Sequence, residues 1–247
     1  MALDDEISKI IENLANMSKR PEFVSECKKW EAENREIQMR GLMRSCGIPE
    51  GYSDAGFGNF TVEPSNRKGF NACKQYVENW EKIKPGESLA LFGSVGTGKT
   101  HLAIVTCREL IKRYLVFAKY MPVLKMFEMA RRSFDNEMAN PIPAIKECDF
   151  LVLDDLGSER PTSWVLEQLT SIIDHRVANR LPFLITSNAK SWVGLCQMLT
   201  QLSDGDDQVK LSVQRIVDRL VQVIGKPIVM VGSSWRSKRI EGSARIR

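Results

Sequence analysis

Nowhere does the chain offer the roughly 20 consecutive apolar residues that a bilayer-spanning helix needs. Its opening, Met-Ala-Leu-Asp-Asp-Glu-Ile, has neither the basic start nor the apolar run of a secretory signal. No membrane partner is therefore expected, and the expected location is the cytoplasm. Cysteine pattern is missing too: Cys27, Cys46, Cys73, Cys107, Cys148 and Cys196 lie far apart with no Cys-x-x-Cys pair. That excludes the usual zinc frameworks, and all six are expected as reduced thiols. Neither sign of charge dominates. The 35 Lys and Arg against 31 Asp and Glu leave +4, which permits contact with nucleic acid without arguing for it. No internal repeat or low-complexity tract breaks the text. What is present is an ordinary globular composition, 43% hydrophobic and 27% charged over 247 residues, long enough for one sizeable core and a smaller appendage.

Periodicity divides the chain. Leu3, Ile7, Ile10, Ile11, Leu14 and Met17 recur at spacings of three and four, which predicts an amphipathic helix over 3–18 that ends at Lys19-Arg20-Pro21. Phe23, Cys27, Trp30 and Ile37 repeat the pattern to about Arg44, where Gly47 and Pro49 stop it. The two helices form a hairpin, or a pair whose stripes serve either internal packing or the docking of another protein. Residues 47–66, rich in Gly, Pro, Ser and Asn with isolated aromatics at Tyr52, Phe57 and Phe60, read as an irregular linker. A helix over Phe70–Trp80 follows. Strands are expected at Leu89–Phe92, Leu115–Ala118, Phe150–Leu153, Pro182–Thr186 and Pro227–Val231, alternating with helices such as Leu102–Tyr114. The expected fold class is α/β: a parallel sheet covered by helices on both faces, preceded by a small helical region.

Between the first strand and its helix stands Gly93-Ser94-Val95-Gly96-Thr97-Gly98-Lys99-Thr100, which fits G-x-x-x-x-G-K-[ST] at every defined position. Such glycines let successive backbone N–H groups face a phosphate. Lys99 would supply a point charge to the β and γ oxygens, and the Thr100 hydroxyl would join the shell of Mg²⁺. The loop residues and the following His101 are the expected ATP contacts. Cys148-Asp-Phe-Leu-Val-Leu-Asp154-Asp155 is an apolar strand ending in two acids. Alone, such a pair reads as a cap or turn; after a complete phosphate loop it reads as catalytic. Asp154 is expected to hold Mg²⁺, and Asp155, pointing to the other side of the strand, to polarise the attacking water. Asn188, closing Phe183-Leu-Ile-Thr-Ser187-Asn188, is placed to orient water at the γ-phosphate or simply to end a strand.

Together these motifs resemble the AAA+ P-loop ATPases, and over about residues 40–240 they resemble the DnaC/DnaI replicative helicase loaders and the related IstB-type transposition ATPases. Arg44-Ser-Cys-Gly47-Ile-Pro49, Phe57-Gly-Asn-Phe60, Asp154-Asp-Leu-Gly157, Asp174-His-Arg176, Asn179-Arg-Leu-Pro182 and Thr186-Ser-Asn188 follow the family wording in order. The resemblance makes Asn188 the first sensor. It makes Arg219, in Arg215-Ile-Val-Asp-Arg219-Leu, an arginine finger acting on a neighbouring subunit's ATP, where an exposed helical arginine is the plain alternative. Trp235-Arg236-Ser-Lys-Arg239 resembles the second-sensor element, with Arg239 as the phosphate contact among three neighbouring cations. Met121–Phe134 falls where the family inserts a helix that lines a single-stranded DNA channel. Phe134 there, with Lys125, Arg131 and Arg132, and Trp164 are the expected DNA contacts, with core packing as the alternative for both rings. One departure stands out: 192–213 is longer than the family's short helix and contains the acidic turn Ser203-Asp-Gly-Asp-Asp207.

What the resemblance implies is an ATPase that loads a hexameric DnaB-type helicase onto single-stranded DNA in a bacterial cell, whether the gene is chromosomal or phage-borne. Residues 1–46 would grip the helicase, 47–66 link, and 67–247 form the ATPase domain that self-assembles with ATP and Mg²⁺. The alternatives are an IstB-like transposition helper and a nucleotide-switched adaptor with little hydrolysis. The adaptor is suggested by Asp155 standing where such ATPases usually carry a longer Glu.

Overall fold

Five short apolar segments, each too brief to bury itself as a helix, pair side by side in the computed structural model, which describes residues 21–134, 140–158, 162–200 and 207–232. They are β1 (Leu89–Gly93), β2 (Ala118–Pro122), β3 (Phe150–Asp154), β4 (Phe183–Ser187) and β5 (Ile228–Met230), and the sheet order is β2-β3-β4-β1-β5. Every pairing is parallel, with Val152 opposite both Tyr120 and Leu184, and Phe92 opposite both Ser187 and Val229. Two helices, α1 (Pro21–Ser45) and α2 (Arg67–Glu78), precede β1; parallel neighbours require crossovers, and α3 (Lys99–Tyr114), α4 (Val123–Phe134), α5 (Ile142–Glu147), α6 (Ser163–Ala178), α7 (Trp192–Thr200) and α8 (Asp207–Ile224) supply them.

Alternation along the strands sorts the two faces. Ala90, Phe92, Leu151, Leu153, Phe183 and Ile185 join one apolar cluster with α4 through α8. The opposite parity faces α3, which packs on β2, β3 and β4, while α2 packs on α3 and β5. Phe150 meets Tyr76 and Trp80 on the α2 side, with ring centroids 5.8 Å apart in both cases. Parity also sets the chemistry: Asp154 and Thr186 continue the α3 face, so their side chains emerge beside the start of that helix.

Arg176 is the largest fully buried side chain among the described residues. Its guanidinium donates to the carbonyls of Ile145, Lys146, Cys148 and Pro182 at 2.6–3.2 Å, tying the end of α5 to the starts of β3 and β4. A buried cation is tolerable here because carbonyl dipoles replace its water. The Asp174-His-Arg176 wording therefore has an architectural basis in its arginine.

Several boundaries differ from expectation. The helix expected at Phe70–Trp80 runs Arg67–Glu78, with Trp80 on a 3-10 turn (Trp80–Lys82). The strand expected at Leu115–Ala118 is β2 at Ala118–Pro122. Leu115 adopts φ 54° and its N–H bonds the Ile111 carbonyl, so it caps α3. The real strand is an edge strand, where half-buried Lys119 and Pro122 are tolerated. The linker contains two 3-10 turns, Glu50–Tyr52 and Phe57–Asn59. Contacts divide the chain into residues 1–41 and 42–247. Within the first unit α1 buries no side chain. The expected helix over 3–18, the turn at 203–206 and Trp235–Arg239 lie outside the described residues.

Candidate functional site

A glycine at 93 is dictated by backbone packing. Gly93 ends β1 at φ 129°, and a β-carbon there would lie 1.9 Å from the Met230 carbonyl oxygen. The next amide, Ser94, donates to that same oxygen at 3.2 Å. Gly96 and Gly98 also take positive φ, 80° and 95°, and a β-carbon on Gly98 would come within 2.9 Å of the Phe60 ring. The loop is thus pressed between β5 and the linker. The Thr97 hydroxyl closes it by donating to the Ser94 carbonyl at 2.9 Å, and α3 starts at Lys99 with its amides aimed into the loop, the arrangement that suits an anion.

Lys99 is 6% exposed. Its ammonium donates to the carbonyls of Gly93 and Ser94 at 2.8 and 2.9 Å and to Asn188 Oδ1 at 3.0 Å. Burial pulls its pKa down, with the Asp155 and then the Asp154 carboxylates opposing. Asn188 passes the contact on, its Nδ2 donating to Asp155 Oδ1 at 2.9 Å. Asp154, 5% exposed, lies with its carboxylate 3.0 Å from the Thr100 hydroxyl. Asp155 corrects one expectation. It does not simply project from the far side of the strand: β3 ends at Asp154, Asp155 turns through φ 62°, and both carboxylates line one cavity. Its amide donates to the Thr186 hydroxyl at 2.8 Å, which holds the turn.

That cavity, about 880 Å³, is lined by Val95, Gly96, Gly98, Lys99, Thr100, His101, both acids, Thr186 and Asn188, and also by Tyr52, Asn59, Phe60 and Thr61 from the linker. It is large enough for a nucleotide. His101 has its ring 5.9 Å from Tyr52 and 5.2 Å from Phe60. Its Nε2 is buried with no hydrogen-bond partner, and burial lowers its pKa. A neutral imidazole with an unspent polar atom between two aromatic rings fits the edge of a heteroaromatic base. Thr100 and Asp154 are hard oxygen donors suited to Mg²⁺. Among the described residues no group of three His, Cys, Asp or Glu could hold a metal alone, so a cation here would share its ligands with phosphate. Tyr52 and Phe60 wall the pocket from the expected linker; the sequence marks Tyr52 only as an aromatic in a polar stretch, and Phe60 also through the Phe57-Gly-Asn-Phe60 wording.

Among the described residues, Arg219 and Trp164 do not line this cavity. Arg219 sits on α8, half-exposed, donating to Asp174 at 3.1 Å and Gln222 at 3.2 Å. Trp164 packs on the core at the start of α6, edge-on to Phe127 at 5.6 Å, with the Arg131 guanidinium 5.6 Å over its ring. It therefore has a packing role on one side and a cation on the other. On α4, Val123, Met126, Phe127 and Ala130 turn inward, while Lys125, Arg131 and Arg132 are exposed. The Phe134 side chain and Arg239 lie outside what is described.

Residues 73–241 match the family model described as IstB-like ATP binding protein. The chain is 35% identical over 164 residues to an uncharacterized protein, YqaM, of Bacillus subtilis (strain 168), covering 62% of this chain and 52% of that one. It is 24% identical over 214 residues to the replicative helicase loader DnaC of Escherichia coli (strain K12), covering 84% and 80%. A crystal structure of DnaI matches the fold with a TM-score of 0.62 at 26% identity, over 76% of this chain and 94% of that one. The chain spans about half the length of the Bacillus relative.

Proposed function

This chain belongs to the family of IstB-like ATP binding proteins, and from that premise we propose that it is an ATPase that loads a hexameric DnaB-type replicative helicase onto single-stranded DNA in the bacterial cytoplasm. ATP and Mg²⁺ are its cofactors, and ATP-driven self-assembly is its switch. The observation that carries the nucleotide part is the relay Lys99–Asn188–Asp155 beside Thr100–Asp154 at one cavity. The relatives named as helicase loaders support the partner.

In this reading the amides of residues 94–100 hold the phosphates, and Lys99 exchanges a carbonyl for a phosphate oxygen. Thr100 and Asp154 hold Mg²⁺, whose chemistry is to neutralise the charge that develops between the β- and γ-phosphates. Asp155 accepts a proton from the attacking water, and Asn188 fixes that carboxylate. Aspartate is one carbon shorter than the usual glutamate. The left-handed turn at Asp155 and its bond to Asn188 provide what a longer side chain would, a fixed place at the cavity. Arg219 serves a neighbouring subunit's site and Arg239 the same subunit's phosphates. Phe134 and Trp164, flanked by the cations of α4, meet DNA through stacking and phosphate charge. Residues 1–46 dock the helicase, 47–66 connect and lend Tyr52, Asn59, Phe60 and Thr61 to the pocket wall, and 67–247 are the remainder of the ATPase domain.

The test is light scattering of the protein mixed with its host's replicative helicase in ATP and Mg²⁺, beside a copy lacking residues 1–45. The expected outcome is a large complex that the truncation abolishes. A second reading, a transposition helper, is favoured by the family description itself; failure to bind any helicase tested, with capture of a transposase and double-stranded DNA, would select it.

A further inference from the structure

The roles assigned so far leave one arrangement unused, the ring of hydroxyls around Asp154. The Thr186 hydroxyl donates to Oδ1 at 2.7 Å, and the Tyr120 phenol donates to Oδ2 at 2.7 Å. Thr100 lies 3.0 Å from Oδ1 and 3.2 Å from Oδ2. A carboxylate offers about four lone-pair sites. One fixed donor on each oxygen stops the group rotating and leaves the remaining lone pairs facing Thr100 and the cavity.

Tyr120 is itself held firmly. It is 3% exposed on the edge strand β2, opposite Val152. Its amide donates to the Cys46 carbonyl at 2.8 Å, and the neighbouring Lys119 ammonium donates to the Ser45 carbonyl at 2.5 Å. The strand is thus clamped between β3 on one side and the foot of α1 on the other. Packing alone does not call for that hydroxyl, since a phenylalanine would fill nearly the same volume.

We propose that Tyr120 is a positioning residue for the magnesium–nucleotide complex, acting through Asp154 by fixing its Oδ2 so that the carboxylate meets Mg²⁺ in one orientation. The inference rests on the assignment of Asp154 to Mg²⁺ made above. Outer partners that orient a metal-binding group are commonly worth 10- to 100-fold in metal affinity, and a single donor on a shared carboxylate belongs at the lower end.

The experiment titrates Mg²⁺ into the full chain bound to a fluorescent N-methylanthraniloyl ATP, for the native protein, Tyr120→Phe and Asp154→Asn. Each protein's affinity in EDTA serves as its own baseline. The expected result is that Asp154→Asn loses the Mg²⁺-dependent tightening, while Tyr120→Phe keeps it but needs about tenfold more Mg²⁺ at the midpoint. A Tyr120→Phe midpoint equal to the native one, with Asp154→Asn defective, overturns the role of Tyr120 and leaves the metal assignment standing. An intact Mg²⁺ response in Asp154→Asn overturns both. Loss of nucleotide binding by Tyr120→Phe already in EDTA also overturns the inference, because the phenol would then be holding up the pocket rather than aiming the acid.

Discussion

Helix α1 and the phosphate loop make opposite use of their side chains. α1 runs 25 residues without burying one, and Trp30 and Ile37, one heptad apart on its stripe, are each 66% exposed. In the loop, Thr97 and Lys99 are nearly buried, and their hydrogen bonds run to carbonyls and an amide of this same chain. The loop's geometry is settled within one molecule. An exposed apolar stripe leaves its energetics to whatever packs against it, which is why a partner is proposed for one region and a reaction for the other.

Breaking the self-contained side of this contrast should produce the largest effects. Lys99→Ala is expected to lower steady-state ATP hydrolysis by about 10²- to 10³-fold, the scale of losing one preorganised charge-stabilising donor, with an unchanged circular dichroism spectrum. Hydrolysis at the native rate would sink the nucleotide assignment. Gly93→Ala forces a left-handed alanine against the Met230 carbonyl and should cost about 3 kcal/mol in urea unfolding, strain and overpacking combined. Trp30→Ala tests the other side: it should weaken helicase binding about 30-fold, as an interface anchor does, yet alter unfolding free energy by less than about 0.5 kcal/mol. A large stability loss would instead make the stripe internal packing. Smallest of all, Arg219→Ala removes an exposed ion pair and should change stability by no more than about 0.5 kcal/mol. If it serves a neighbour, hydrolysis should fall only at concentrations where the protein self-assembles.

Much of this was legible beforehand, for identifiable reasons. Four of the five strands lie within one residue of expectation because buried parallel strands are written as short apolar runs with turn residues at their ends. The phosphate loop is read directly because its glycines answer to steric demands that no other residue meets. β2 was misplaced because apolar Leu115 and Val116 are spent on ending α3, while the true strand carries Lys119 and Pro122, which only an edge position tolerates. Asp155 was misdirected because strand parity was extended one residue past the strand. Tyr120 had no signal at all: a tyrosine between Lys119 and Met121 looks like any other, and its partner is set by the register of β2 on β3. The linker aromatics escaped for a similar reason, since packing over Gly98 is a long-range fact.

The close approach of Gly93 to Met230 also orders events in time. During synthesis the phosphate loop leaves the ribosome before β5, the last strand among the described residues, whose Met230 carbonyl receives the Ser94 amide. A nascent chain that has formed β1, β3 and β4 still lacks the Met230 carbonyl that the Ser94 amide meets, so firm binding of nucleotide is expected only after residue 230 has emerged and docked. β5, the shortest strand among the described residues, is therefore expected to set when the protein becomes competent, and a ribosome stalled before it should hold a folded sheet with weakened nucleotide affinity.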